Sequence, residues 1–410
     1  MNNYFTFDGL NIFFTLILLV VTSAVVVYQG KQKLKYTIIF ILFFLSMLGA
    51  ILSNHLGLTW VFVEATTLTS AYLILQHKNK NSLEATWKYV FLCSIGISLA
   101  FVGIILLLIA AEGVNSLFFN DLYANASTIN AFWLKLSFIF TLIGFGTKVG
   151  LAPVHSWLPD AHAEAPSPVS AMLSATLLNS AFLVIIRLNK LMQLAGVGDS
   201  AQKLMLFMGL ASLFVTAVYV FRIANYKRMM AYSSIENMGI ATIGIALGNI
   251  GTIAAAIHLM AHSLIKSGFF LTSGNVLKLY GTKEIADVHG IIKRDKMTGW
   301  LWVLFAAFIV AIPPSPLFIS EFLILQQMFV SKQIFLMILF AGILTIIMYG
   351  ILRAVIKTAF GDDVELNTPC VKLGVNKYLP QILLLLIVVI IGFYCPTWLG
   401  RVIMEAALWM

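Results

Sequence analysis

The chain has 410 residues, 60% of them hydrophobic and only 10% charged, with a mean hydropathy of +0.95 and a formal net charge of +9. Soluble domains carry about 25% charged residues, so this composition excludes a soluble globular fold and describes an integral membrane protein. Cys93, Cys370 and Cys395 stand far apart, with no Cys-x-x-Cys, haem or iron–sulfur spacing and no Gly-rich nucleotide loop, so no cofactor or metal is expected in this chain.

Helix-length apolar runs repeat along the chain, in place of the ten-residue alternation of a membrane barrel. Twelve spans are predicted, near 9–28, 36–54, 57–76, 87–110, 131–151, 166–188, 203–222, 229–248, 250–278, 299–330, 333–353 and 378–398. The expected fold class is an all-α polytopic membrane protein with about 12 transmembrane helices. Residues 1–8 lack the basic region and cleavage site of a signal peptide, so the first run should stay in the mature protein. The segment 57–76 carries Glu64. The segment 131–151 reaches Lys148 and breaks at Pro153. A polar interlude with His155, Asp160, His162 and Glu164 follows, and a new apolar run behind Pro166 and Pro168 holds Asn179. Glu236 lies early in 229–248. In 250–278, His258, His262 and Lys266 form an i, i+4, i+8 stripe on one helix face. The segment 299–330 is over-long, interrupted by Ile312-Pro-Pro-Ser-Pro316, and carries Glu321 after the interruption.

The basic residues test this layout. With the loop after the first span in the cytoplasm, eighteen of the 26 lysines and arginines face that side and six the other. The two left over, Lys148 and Lys266, fall inside apolar segments. The positive-inside rule favours this orientation, with both termini outside, and accounts for the net charge without a nucleic-acid partner. The breaks suggest two five-helix repeats, each with a broken fourth helix beside one intramembrane charge. Five is odd, so the repeats would be inverted. The expected division is an N-terminal helix at 1–35, a first repeat at 36–190 with a half-channel around Lys148, a second at 200–355 around Lys266 and Glu321, and a loop with the last helix at 356–410.

Irregular backbone survives in lipid only where it is buried in protein or lines a wet cavity, and ionisable groups at that depth mark ion pathways. Lys148 is the expected partner of Glu64. The pair reads either as a proton-holding lysine tuned by the carboxylate or as an ion pair fixing helix register. The His258, His262 and Lys266 stripe suits a proton relay. Zinc at the two histidines would lack a carboxylate and face the Lys266 charge, and histidines bonded to neighbouring backbone or hydroxyls are the plainer alternative. Glu321 reads as the last stop of an outward path or, with Ser320, as a helix cap. His155, Asp160, His162 and Glu164, near the cytoplasmic mouth, either feed protons to Lys148 or form caps and interfacial salt bridges. Glu236 reads as an uptake-side ion pair with Lys227 or Arg228. Glu112, Asp121, Asp362, Asp363 and Glu365 read as solvated loop charges.

Four stretches carry a family resemblance: Lys148-Val-Gly-Leu-Ala-Pro-Val-His-Ser-Trp-Leu-Pro-Asp-Ala-His-Ala-Glu-Ala-Pro-Ser-Pro, Ala231-Tyr-Ser-Ser-Ile-Glu-Asn-Met-Gly239, His258-Leu-Met-Ala-His262-Ser-Leu-Ile-Lys266, and Phe318-Ile-Ser-Glu321-Phe. They resemble the antiporter-like family of proton-pumping membrane subunits of complex I, membrane-bound hydrogenases, formate hydrogenlyases and multi-subunit sodium/proton antiporters. The likeness is nearest to hydrogenase-4 component F. It implies that Glu64, Lys148, His258, His262, Lys266 and Glu321 line a hydrated charged axis at mid-membrane. It also implies a multi-pass place in a bacterial or archaeal cytoplasmic membrane. The partners implied are lipid, other membrane subunits, and peripheral subunits carrying iron–sulfur or nickel–iron centres.

Two departures stand out. Many members carry a second lysine where this chain has Asn179, and an asparagine orients water but holds no proton at neutral pH. Members usually have about fourteen helices, and this chain is expected to start at the third. The function expected is proton translocation as a subunit of a respiratory-type oxidoreductase complex, with no redox centre in this chain. A stand-alone or Mrp-type sodium/proton antiporter subunit and a non-pumping scaffold are the rival readings.

Overall fold

The computed structural model describes residues 3–77, 79–114, 116–361 and 372–410. Lys78, Asp362, Asp363, Glu365 and Cys370 lie outside the described residues. Among the described residues the chain is helical, with three isolated bridges and no strand. The main helices are α1 (Gly9–Gln29), α2 (Leu34–Leu52), α3 (Leu56–Ile74), α4 (Lys80–Ala110), α5 (Ala131–Val149), α6 (Trp157–Glu164), α7 (Ser167–Leu194), α8 (Gly198–Tyr219), α9 (Tyr226–Leu247), α10 (Ile250–Tyr280), α11 (Lys296–Ile309), α12 (Pro316–Val330), α13 (Ile334–Ala359), α14 (Leu379–Phe393) and α15 (Thr397–Ala407).

Every predicted run is helical. Among the described residues, eight helices are long and apolar enough to cross a membrane alone, or nine spans if the pair α14 and α15, bent by 82°, counts as one. The predicted twelve is reached only if α3, α9 and the broken pair α11–α12 also cross. α3 and α9 fall outside the eight because Glu64, Glu236 and several hydroxyls dilute their apolar character.

Local chemistry sets the boundaries. Asp8 caps α1 by accepting from the Asn11 N–H at 2.9 Å, and Asn79 and Ser82 form a reciprocal capping box on α4. α5 stops at Gly150, whose φ of +79° is a left-handed cap. A Cβ there would lie 2.3 Å from Leu158 Cδ1, so the turn into the break favours glycine by its backbone conformation and by the space it leaves for Leu158.

α7 and α10 form the centre, with α7 wholly buried and α10 89% buried over its apolar window, against 28% for α13 at the periphery. Charged contacts collect at the two ends. One end joins Asp160 to Lys88 and Arg228, and Glu164 to Lys283. The other joins Arg187 to Asp8 at 2.6 Å and to Asn11 Oδ1 at 2.7 Å. There Asn189 also donates to the Met410 carbonyl. Both described chain ends therefore share the face opposite the Lys88–Arg228 cluster.

Candidate functional site

Lys148 sits in the last turn of α5, where the helix dipole favours a cation. It is fully buried. Its Nζ donates to the Tyr89 hydroxyl at 2.9 Å and stands 4.9 Å from that ring's centroid. The Tyr89 hydroxyl in turn lies 2.6 Å from Ser70 Oγ on α3. Glu64 makes no direct ion pair with Lys148. It accepts from Thr67 Oγ1 at 3.0 Å and Ser94 Oγ at 3.1 Å. The expected Glu64–Lys148 contact is thus replaced by a hydroxyl bridge from α5 through α4 to α3.

The four groups after the break do not stay together. Asp160 and Glu164, one turn apart on α6, face the ionic cluster at the helix ends, 2.6 Å from Arg228 and 3.1 Å from Lys283 respectively. Cavities of about 200 and 520 Å³ open beside them and share Asn81, Glu164 and Arg228. Half-buried His155 meets the Tyr232 ring edge-on at 6.5 Å. His162 points the other way, since two residues of helix turn a side chain through most of a half-circle. It is fully buried and stacked on Phe270 of α10 at 4.9 Å, and neither ring nitrogen finds a partner. His162 therefore belongs to the interior and not to the mouth. Lys227, fully buried, donates to the Ala165 carbonyl.

The stripe on α10 forms as spaced. His258 Nδ1 lies 2.9 Å from Ser320 Oγ of α12. Lys266 Nζ donates to the Met230 carbonyl of α9 at 2.6 Å and lies 5.9 Å from the Phe270 ring centroid. Asn179 reaches α10 from α7, giving its Nδ2 to Ser263 Oγ at 2.8 Å. It follows a π-helical turn at Leu173–Leu177, a distortion frequent at functional sites. Several buried polar atoms here make no hydrogen bond of normal geometry: Asn179 Oδ1, Asn237 Oδ1, His258 Nε2 and both nitrogens of His262, with the backbone of Asn237 and of Ser174 the nearest groups to the two rings. Buried polar groups are nearly always hydrogen-bonded, so such a concentration calls for an explanation.

At the second break, Ser315 caps α12 by accepting from the Leu317 N–H at 3.2 Å. The helix has therefore already begun at Pro316, and Glu321 lies beyond its first turn. The cap reading of Ser320 and Glu321 fails for that reason. Glu321 instead lines a half-open cavity of about 320 Å³, and Glu236 of α9 lines the same cavity. This corrects the uptake-side reading of Glu236. Arg228 pairs with Asp160, Lys227 bonds Ala165, and Glu236 stands two turns, about 12 Å, deeper along α9 than Arg228.

Sequence reasoning missed Tyr89 and Ser70, and read Ser320 only as part of a cap. Each is an ordinary hydroxyl within an apolar helix, and only the packing of α3, α4, α10 and α12 gives it a role.

A helical membrane bundle with lysines, histidines and a glutamate buried beside two helix breaks has the build of an antiporter-like membrane subunit. The chain belongs to that family: residues 53–347 match the family described as NADH:quinone oxidoreductase/Mrp antiporter, TM. It is 37% identical over 353 residues to a hydrogenase-4 component F homolog of Methylacidiphilum infernorum (isolate V4), covering 85% of this chain and 73% of that one. The fold is similar to a chain of the membrane-bound sulfane sulfur reductase, an archaeal respiratory membrane complex. The TM-score is 0.89 at 24% identity, covering 98% of this chain and 82% of that one. It is equally similar to a chain of the Mrp complex from Dietzia sp. DQ12-45-1b, with TM-score 0.89 at 16% identity over 99% of this chain and 84% of the other.

Proposed function

We propose that this chain translocates protons as the antiporter-like subunit of a respiratory-type oxidoreductase complex, nearest to the hydrogenase-4 component F type. Its redox partners, carrying iron–sulfur or nickel–iron centres, would supply the driving reaction. The observation that carries the reading is the file of buried lysine, histidine, asparagine and glutamate side chains between the two breaks, with unpartnered polar atoms along it. Buried waters satisfy such atoms where the site is polar, and a file of them would conduct protons. Uptake would run from the cytoplasm past Asp160, Glu164 and His155 to Lys148, which lies within electrostatic reach of Glu64. The proton would then pass Asn179 to His262, His258 and Lys266 and leave near Glu321, with His162 feeding the interior. The segments 36–190 and 200–355 would act as the two half-channels.

A second reading, a sodium/proton antiporter subunit, is supported by the match of residues 53–347 to a family that includes the Mrp antiporter. One experiment separates them. The complex is reconstituted in vesicles, and lumen acidification is followed with an electron donor present and then with only a sodium gradient. The proposed function predicts acidification that needs the donor and that Lys148→Ala abolishes. Exchange driven by sodium alone would support the antiporter, and donor-driven pumping unaffected by Lys148→Ala would reject the pathway.

A further inference from the structure

The far end of the axis holds a second carboxylate. Glu236 is 7% exposed and shares with Glu321 the wall of the cavity of about 320 Å³ beside the second break. Val310 to Pro313 of the break supply one side, and α13 contributes Thr345 and apolar side chains but no charge. From the other direction Glu236 lies within electrostatic reach of Lys266 on α10. Glu321 lies within electrostatic reach of Glu236. Neither carboxylate has an ion-pair partner among the described residues. The three groups thus stand in the order Lys266, Glu236, Glu321, across α10, α9 and α12.

The other link from α10 to α12 is the contact between His258 and Ser320. The Ser320 hydroxyl already donates to the Leu317 carbonyl at 2.7 Å. With His258 protonated at Nδ1, the hydroxyl accepts from the ring and its own proton stays on the backbone. Passing a proton onward would require that hydroxyl to break its bond and rotate. The carboxylate route needs no such step.

We infer that Glu236 is the transfer residue between Lys266 and Glu321. The inference rests on the proton-pumping reading above. In the step, the Lys266 ammonium gives up one proton to an intervening water and becomes an amine, and that water passes a proton to the Glu236 carboxylate, which becomes the acid. Glu236 then passes the proton to the Glu321 carboxylate and returns to its anion, while Lys266 is reloaded from the Asn179 side. Two anions facing one largely apolar cavity repel each other, and one proton shared between them relieves that repulsion. The pair is therefore suited to holding a proton until release.

The test uses the assembled complex in proteoliposomes, with electron transfer and acidification measured together for Glu236→Gln, Glu236→Asp and Glu321→Gln. The expected result is that Glu236→Gln loses acidification, as Glu321→Gln does, and that Glu236→Asp regains part of it. A purely structural role would not follow that split, because glutamine matches the shape of glutamate better than aspartate does. If Glu236→Gln pumps like the unaltered complex while Glu321→Gln does not, the inference fails and the pumping reading stands. If both pump normally, the pumping reading itself falls. Should Glu236→Gln fail to assemble, infrared spectra of Glu236→Asp and Glu321→Gln decide. A shared proton predicts one carboxylic C=O band that both substitutions shift, and two bands that respond separately overturn the inference.

Discussion

Lys148 and Tyr89 are joined by a 2.9 Å hydrogen bond deep in the bundle, and Glu64 stays bonded to Thr67 and Ser94. Tyr89 is thus the group through which the carboxylate's helix senses the lysine. Tyr89→Phe keeps the ring but removes the acceptor. A buried donor left without a partner costs about 1–3 kcal/mol, and more when it is charged. The variant should show a lower unfolding midpoint in detergent and several-fold weaker acidification. Unchanged values for both would mean that the Tyr89 hydroxyl carries neither stability nor conduction.

Arg187 ties the chain together on the opposite face. It is 1% exposed, pairs with Asp8 and Asn11, and lies 5.1 Å from the Phe119 ring and 5.3 Å from that of Trp409. A hydrogen bond to a charged group contributes about 1.5–3 kcal/mol, and Asp8, which is 18% exposed, would regain some water. Arg187→Ala should lower the unfolding midpoint markedly and loosen both chain ends to protease. Arg187→Lys should rescue only in part, because an ammonium could take over the two bonds that Nη2 makes but not the contact of the planar guanidinium with the Phe119 and Trp409 rings.

Gly150 permits the first break. Alanine there meets a left-handed backbone penalty of about 1–2 kcal/mol as well as contact with Leu158 at 2.3 Å. Gly150→Ala should therefore reduce the yield of folded protein, read by monodispersity in size-exclusion chromatography. Normal yield and stability would show that the break tolerates another geometry.

Lys377 offers a pH test outside the spans. It donates to the Tyr28 carbonyl and stacks over that ring at 4.1 Å. Burial, with the neighbouring Lys278 charge adding to it, pushes its amine down to about 8 from an ordinary 10.5. Between those values the unfolded chain binds more protons than the folded one, so stability rises with pH through that window. The penalty is fully present below about pH 8 and gone above about pH 10.5. Lys377→Met should flatten that rise in unfolding midpoint against pH, and an unaltered slope would contradict the assignment.

The sequence made some of this legible for physical reasons. Apolar runs, the prolines at 153 and 313–316, and the four-residue spacing of His258, His262 and Lys266 are local signals, and each appears as a helix, a break or a face. Partners are a different matter. Whether Lys148 meets Glu64 or Tyr89 depends on how α3, α4 and α5 rotate against one another, and no spacing within one helix encodes that. Glu236 looked like a partner for Arg228 because the two are close in sequence, yet two helical turns separate a surface cation from a buried acid. His162 and Asp160 are two residues apart and face opposite environments for the same geometric reason.

The central claim is that water joins these buried groups into one conducting file. A high-resolution cryo-EM map of the assembled complex tests it most directly. Resolved water densities are expected at Asn179 Oδ1, His258 Nε2 and the His262 ring, continuous from Lys148 to the Glu236–Glu321 cavity. Close-packed apolar side chains between Lys148 and Lys266, with those polar atoms bonded to protein and no room for water, would contradict it.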